Sequence, residues 1–260
     1  MFTRKRLAIV ASFAVLMSAG VLANTGVAQA ATCMTSARFG QCGPYDYNTY
    51  HVSNNMWGST PGSSQTLTAS GMNSWSVVST VPYGLNSKGF INVESYPNSS
   101  ENLTNTPLGN YSTLNQSFNV TKVPACSTHD AWEIAADDWL NALPGQSGTI
   151  EVMVWEDVCH TQPRGSYTGN QTKIGNQTFQ LWYSGTNGVT LSLVPVAGNF
   201  ETSGTIPDID VFDYLEGLGY LSNLDSVAQL SLGEEILSTN NNPFTWTWRT
   251  SDNTIALKGR

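Results

Sequence analysis

The chain has 260 residues, 19 acidic against 11 basic, a net charge of −8, and only 12% charged side chains beside 10% aromatic ones. That balance excludes a disordered chain, which is charge-rich and aromatic-poor, and disfavours a nucleic-acid partner, which needs a basic surface. Abundant Asn, Ser, Thr, Gly and aromatic residues suit short strands and tight turns rather than coiled coils.

Residues 1–30 read as an export leader. Arg4, Lys5 and Arg6 form a positive start, 7–23 is an apolar run, and Ala28-Gln29-Ala30 supplies a small-x-small cleavage pattern. The run is long enough to suggest a membrane helix, but its basic start and its A-x-A ending favour cleavage. Removing its three basic residues leaves 8 basic against 19 acidic, a net charge of −11. No later stretch has membrane length, and 31–260 reads as one domain large enough to bury a full core. The expected product is a secreted, extracellular protein of bacterial type, with no membrane partner. Cys33, Cys42, Cys126 and Cys159 suit an oxidising compartment. Four cysteines allow three pairings, and spacing does not choose among them; without a C-x-x-C, disulfides are expected rather than a zinc or redox site.

Beyond the leader, most of the chain reads as strand and turn. Segments 73–81, 90–95, 117–120, 131–137, 149–155, 179–184, 189–196 and 226–237 are short β-rich runs bounded by Gly, Pro, Asn and Ser, including Pro144-Gly145, Ser184-Gly185 and Asn187-Gly188. Such a series predicts an antiparallel sandwich or barrel. Between the last two runs, Pro207-Asp208 opens a stretch in which Val211, Phe212, Leu215 and Leu218 recur at helical spacing, with Gly217 and Gly219 at its end. This predicts one helix over 208–218, packed on the outside of a sheet. Near the C-terminus Trp246 and Trp248 alternate in a further strand, facing either core or cleft.

An exported, acidic, aromatic-rich β-protein without a nucleophile elbow or metal motif suggests carbohydrate chemistry, because glycoside hydrolysis needs only two facing carboxyl groups. Acids inside strands are therefore the candidates. In 149–155, alternation sets Val152 and Val154 on one face and Glu151, Met153 and Trp155 on the other. In 132–137, Trp132 and Ile134 share the apolar face while Glu133 and Asp137 share the opposite one. In 229–236, Leu230, Leu232 and Ile236 are core-facing, whereas Gln229, Ser231 and Glu235 face the polar side. Strict alternation sends Glu234 into the core; the cost of burying an unpaired carboxylate predicts that it escapes through a bulge or the strand end. His51, His129 and His160 have no metal spacing, and His129-Asp130 lacks a G-x-S-x-G partner, so loop positions are expected for them.

Several segments match one family in order. The run I-E-V-M-V-W at 150–155 is similar to an E-[IL]-M-[IV]-W signature, Asn54-Asn55-Met56-Trp57-Gly58 to N-N-x-W-G, and Glu94-Ser95-Tyr96-Pro97 to [KE]-S-Y-P. Trp132-Glu133-Ile134 stands where a Y-D-[IL] is found, and 173–179 with Trp182 and Asn187-Gly188 is similar to a V-x-V-G-G-x-x-W run and its hairpin. The helix and Gly233-Glu234-Glu235 come next in the same order. Over 50–237 the chain thus resembles glycoside hydrolase family 12, secreted β-1,4-glucanases and xyloglucanases.

The resemblance implies an all-β jelly-roll sandwich of two curved antiparallel sheets with one short helix and an open polysaccharide cleft. It implies a retaining endo-hydrolase of plant-wall glucans, acting as a monomer without cofactor or metal. Glu151 takes the nucleophile position, Glu235 the acid/base position, and Glu133 the place of the acid that hydrogen-bonds the nucleophile. Trp57 matches an aromatic platform under the sugar, with Asn55, Met153 and Trp155 as further substrate contacts. If Glu133 and Glu151 are cross-strand neighbours, Cys126 falls opposite position 158, next to Cys159. The expected pairs are then Cys126–Cys159 and Cys33–Cys42. The chain departs from the family pattern at Glu133, where Asp is usual, at Ile236-Leu237, where Pro and an aromatic are usual, and at Glu156, where an apolar residue is usual. The rival expectations are a related hydrolase acting on xylan and a non-catalytic carbohydrate-binding sandwich using Trp57, Trp155 and Trp182 as platforms.

Overall fold

The computed structural model describes residues 31–35, 45–47, 50–56, 60–71, 73–84, 91–141, 149–185 and 188–258. The expected leader at 1–30, Cys42 and Trp57 lie outside these residues, as does the side chain of Cys33. The described elements are β1 (Ala31–Thr35), β2 (Tyr45–Tyr47), β3 (Tyr50–Ser53), β4 (Ser64–Gly71), β5 (Ser74–Thr80), β6 (Asn98–Pro107), β7 (Tyr111–Thr121), β8 (Asp130–Asn141), β9 (Thr149–Cys159), β10 (Ser166–Ile174), β11 (Gln177–Ser184), β12 (Val189–Pro195), β13 (Ser203–Ile206), α1 (Asp208–Gly217), β14 (Ser226–Thr239) and β15 (Phe244–Leu257).

They form two sheets, as expected of a jelly roll. One has six strands in the order β1-β4-β5-β15-β7-β13, the other nine in the order β10-β11-β12-β9-β8-β14-β6-β3-β2. The pairing is antiparallel except that β12 runs parallel to β9, which the sequence did not foretell. Period-two alternation decides what each strand gives to the core. Val152 and Val154 of β9, Trp132, Ile134 and Ala136 of β8, and Leu230, Leu232 and Ile236 of β14 point inward. From the smaller sheet come Trp75, Val77, Trp246 and Trp248. Trp75 stacks on Trp248 at 5.1 Å within the smaller sheet, and Trp132 meets Trp246 edge-on at 6.4 Å, which ties the two sheets together. Trp246 and Trp248 are thus core residues, both fully buried. Each fully buried Val or Leu adds about 1.5–3 kcal/mol.

Four expectations need correction. The segment 91–95 is not a strand; only Ser95 makes isolated bridges, to Met56 and Ile236. Here the carboxylate of Glu94 instead accepts from the amide (2.7 Å) and hydroxyl (2.8 Å) of Thr60, so side-chain bonds replace a ladder. The helix does not lie on the outside of a sheet. Its Val211, Phe212 and Leu215 are buried in the shared core, because six strands cannot cover nine and α1 completes the cover beside β7.

Glu234 does not escape the core. It is fully buried opposite Ile134, and burial drives its carboxyl well above the usual range. A neutral acid avoids the charge-burial cost that argued against this position.

Finally, Glu133 and Glu151 are not cross-strand partners. The β8–β9 hairpin closes at Asn141 and Thr149, which pairs Glu133 with Val158 and Glu151 with Trp139. The Cys126–Cys159 disulfide does form, with Cα atoms 5.6 Å apart. It arises because the loop before β8 folds back over Cys159, itself paired with Trp132, and not from a ladder position.

Candidate active site

Three neighbouring strands of the larger sheet, β9, β8 and β14, each turn an acid toward one open cleft of ≈ 710 Å³. Glu151 comes from β9, Glu133 from β8 and Glu235 from β14, and all three line the cleft with Met153, Trp155 and Thr190. The opposite rim is made by Ile91, Asn92 and Val93 and by the 161–165 segment, which includes Arg164. That second segment begins directly after the Cys126–Cys159 bridge, so the disulfide anchors the base of the rim. Gly233 explains how Glu235 reaches its place. A Cβ at that position would collide with the carbonyl of Pro97, so only glycine lets the chain leading into β6 pack against β14 here.

Glu151 is held by the Thr190 hydroxyl of β12, which donates to Oε2 at 2.7 Å. The parallel register sets Thr190 level with Glu151, and no sequence signal marked it. The acid beside Glu151 is Asp137. It faces Met153, one alternation step from Glu151's own partner Trp139. Burial, and then the charges of Glu151 and Glu235, hold its carboxyl well above the usual range. Alternation had set Asp137 on this face, but the motif match drew attention to Glu133 instead.

Glu133 is 1% exposed and lies directly opposite Glu235 on the paired strand, both lining the cleft. Burial and then the neighbouring Glu235 raise Glu133 well above its ordinary value. Glu235 is raised by burial, lowered by the bond to Glu133 and raised again by Glu151. Beneath the cluster the Tyr96 phenol donates to the Ala135 carbonyl at 3.0 Å, and the Ser231 hydroxyl donates to the Asp137 carbonyl.

Of the other expected contacts, Met153 and Trp155 line the cleft yet are nearly buried, packed against Ala135. Asn55 is not brought into the lining; its carbonyl accepts from the Tyr96 amide and its backbone is left-handed at φ 33°. Trp182 is level with Ser192 and hence with Met153, and it meets Tyr167 at 6.2 Å near the sheet edge. The histidines take no part in this cluster. His129 stacks on Tyr83 at 4.3 Å, and Asp130 accepts from the Ser127 amide rather than forming a dyad. Cys126, Cys159 and His160 are close enough to share a metal, but both sulfurs are in the disulfide, which removes the thiolate ligands.

Among the described residues the arrangement therefore offers three carboxyl groups lining a groove open to a chain-like ligand, with a fourth, that of Asp137, buried beside Glu151. The family model of glycosyl hydrolase family 12 matches residues 48–252. Solved structures with the same architecture include a xyloglucanase domain of an effector from Sinorhizobium fredii in complex with cellobiose (22% identity, TM-score 0.67, covering 87% of this chain and 99% of that one). Endoglucanase Cel12A from Rhodothermus marinus is similar at 17% identity and a TM-score of 0.67, covering 88% and 99%. The catalytic domain of Humicola grisea Cel12A, complexed with a soaked thio cellotetraose, is similar at 21% identity and a TM-score of 0.69, covering 87% and 99%. At these identities the likeness concerns the fold. No curated protein sequence matches.

Proposed function

The chain belongs to glycosyl hydrolase family 12, and from that premise we propose that it is a secreted endo-β-1,4-glucanase acting by retaining double displacement. The substrate is a soluble plant-wall glucan: cellulose-type, mixed-linkage or xyloglucan. The observation that carries this reading is the convergence of Glu133, Glu151 and Glu235 on one open cleft, with Asp137 beside Glu151.

Glu151, oriented by Thr190, attacks the anomeric carbon while Glu235 protonates the departing glycosidic oxygen. Burial keeps a proton on Glu235 above the usual carboxyl range, as an acid catalyst requires. Glu235 then takes a proton from the water that releases the sugar from Glu151. Asp137, kept neutral by burial and by its acidic neighbours, can donate a hydrogen bond to Glu151 as that carboxylate leaves the sugar. This is the part the family resemblance had assigned to Glu133.

The test is reducing-sugar release by the purified protein from carboxymethylcellulose, barley β-glucan, xyloglucan and xylan, with the first-formed anomer followed by proton NMR. Release of β-anomer from a glucan supports the proposal. Binding without release favours the non-catalytic rival, preference for xylan moves the substrate class, and α-anomer overturns retention. Export is tested by sequencing the N-terminus of the protein recovered outside the cell, expected to begin at position 31.

A further inference from the structure

The Glu133–Glu235 contact has a chemical requirement of its own. An ionised carboxylate can only accept hydrogen bonds, so two carboxyls set directly opposite each other on paired strands, both lining one cleft, can meet only if at least one proton is held between them. Their surroundings decide which keeps it. Glu133 is almost wholly enclosed at 1% exposure, whereas Glu235 opens to the cleft. Charged and titratable neighbours come from every side: Asp137 on the same strand as Glu133, Glu151 from β9, Tyr96 below, and Arg164 from the far rim. The groups acting directly on Glu133 are acids, so nothing there favours its ionised form.

We propose that Glu133 is a positioning residue, a neutral carboxylic acid that permanently donates a hydrogen bond to Glu235 and stabilises it as the base. This rests on Glu235 being the acid/base.

The proton count closes over both steps. Before reaction each carboxyl carries a proton. As the C1–O bond breaks and the Glu151–C1 bond forms, the Glu235 proton goes to the leaving oxygen. The new carboxylate is met at once by the O–H of Glu133. When water attacks C1 and the Glu151–C1 bond breaks, the water proton returns to Glu235, and Glu133 still holds its own.

A purely structural Glu133 would alter stability or overall activity. A donor to Glu235 alters the base step and the pH profile selectively. Glu133→Leu, which removes the donor, is expected to lower kcat about 10–100-fold, with KM falling as the glycosyl-enzyme accumulates. The basic limb of kcat/KM should move upward by about one pH unit, because Glu235 loses the bond that lowers it. Glu133→Gln keeps a neutral N–H donor and should retain both the wild-type limb and most of kcat.

An unmoved limb in the leucine variant, or a glutamine variant as impaired as the leucine one, overturns the proposal. If the leucine variant does not fold, carboxyl 13C titration of the wild-type protein decides, with Glu133→Gln supplying the assignment. Glu133 must keep its proton after Glu235 has lost its own, and the reverse order refutes the proposal. Failure of the catalytic reading would look different: wild type would release no sugar, or Glu235→Gln would be as active as wild type.

Discussion

Two pairs of adjacent acids, Asp137-Asp138 and Glu234-Glu235, straddle the larger sheet, and each pair sends one carboxyl to the cleft and the other to the core. On the cleft side Glu133, Asp137, Glu151 and Glu235 have one another as neighbours, and the shifts of Glu133, Asp137 and Glu235 come from burial together with the charges of other acids. On the core side the partners are mostly neutral donors. Asp138 accepts from the Gln116 amide at 2.9 Å and the Ser231 amide at 3.1 Å, and the same Gln116 nitrogen reaches Asp208 at 3.3 Å. Glu234 and Glu156 are raised first of all by burial. The difference separates two uses of a buried acid. Mutual repulsion beside an open groove keeps protons available for transfer, whereas burial in a closed core makes an acid a neutral structural residue.

The largest expected effect lies on the cleft side alone. Glu151→Gln should reduce sugar release at least ~10³-fold while leaving the melting temperature close to wild type; unchanged release would remove Glu151 as the nucleophile. On the core side Gln116→Ala should do the reverse. It strips a donor from Asp138 and Asp208 at once, a loss of about 1–3 kcal/mol for each group left unsatisfied, so the melting temperature falls by several degrees while kcat of the folded protein holds. A drop in kcat with unchanged stability would blur the division.

The pH dependence of stability sharpens it further. Burial raises Asp138 from 3.8 to about 8 and Glu156 from 4.5 to about 8. Because the folded values lie above the unfolded ones, their stabilising share is whole below about pH 4. It is lost progressively as pH climbs to about 8, at up to about 1.4 kcal/mol per group and pH unit. Melting temperature should therefore decline over that range, and Asp138→Asn should flatten the decline. A slope unaltered in that variant would show that the core acid is not what titrates. The smallest effect is Thr190→Val, which removes the 2.7 Å bond to Glu151 and should cost about tenfold in kcat/KM, or ~1.4 kcal/mol, with no change in melting temperature.

Legibility in the sequence followed the physics of each element. Strands β8, β9 and β14 could be read because one face is mainly apolar, and α1 because Val211, Phe212 and Leu215 repeat at its period. Strands β4, β6 and β10 were not readable, since Ser, Thr and Asn dominate them and leave little hydrophobic contrast. Segment 91–95 misled for the opposite reason: its composition is strand-like, but Glu94 is tied by its side chain to Thr60. The disulfide was expected from a register seven positions away from the real one, and a loop reversal supplied the contact instead.

From the amino-acid sequence alone came the face on which each acid stands, because alternation along a strand is a local property of the backbone. That sufficed to set Glu133, Asp137, Glu151 and Glu235 on the polar faces of their strands, but not to keep Glu234 in the core, where alternation alone would send it. Which acids meet was decided only by the tertiary structure. Strand register is fixed by where hairpins close and by partners distant in sequence. Register brought Asp137 rather than Glu133 beside Glu151, Glu133 against Glu235, and into the core the Glu234 carboxyl that simple burial costs would have kept out of it.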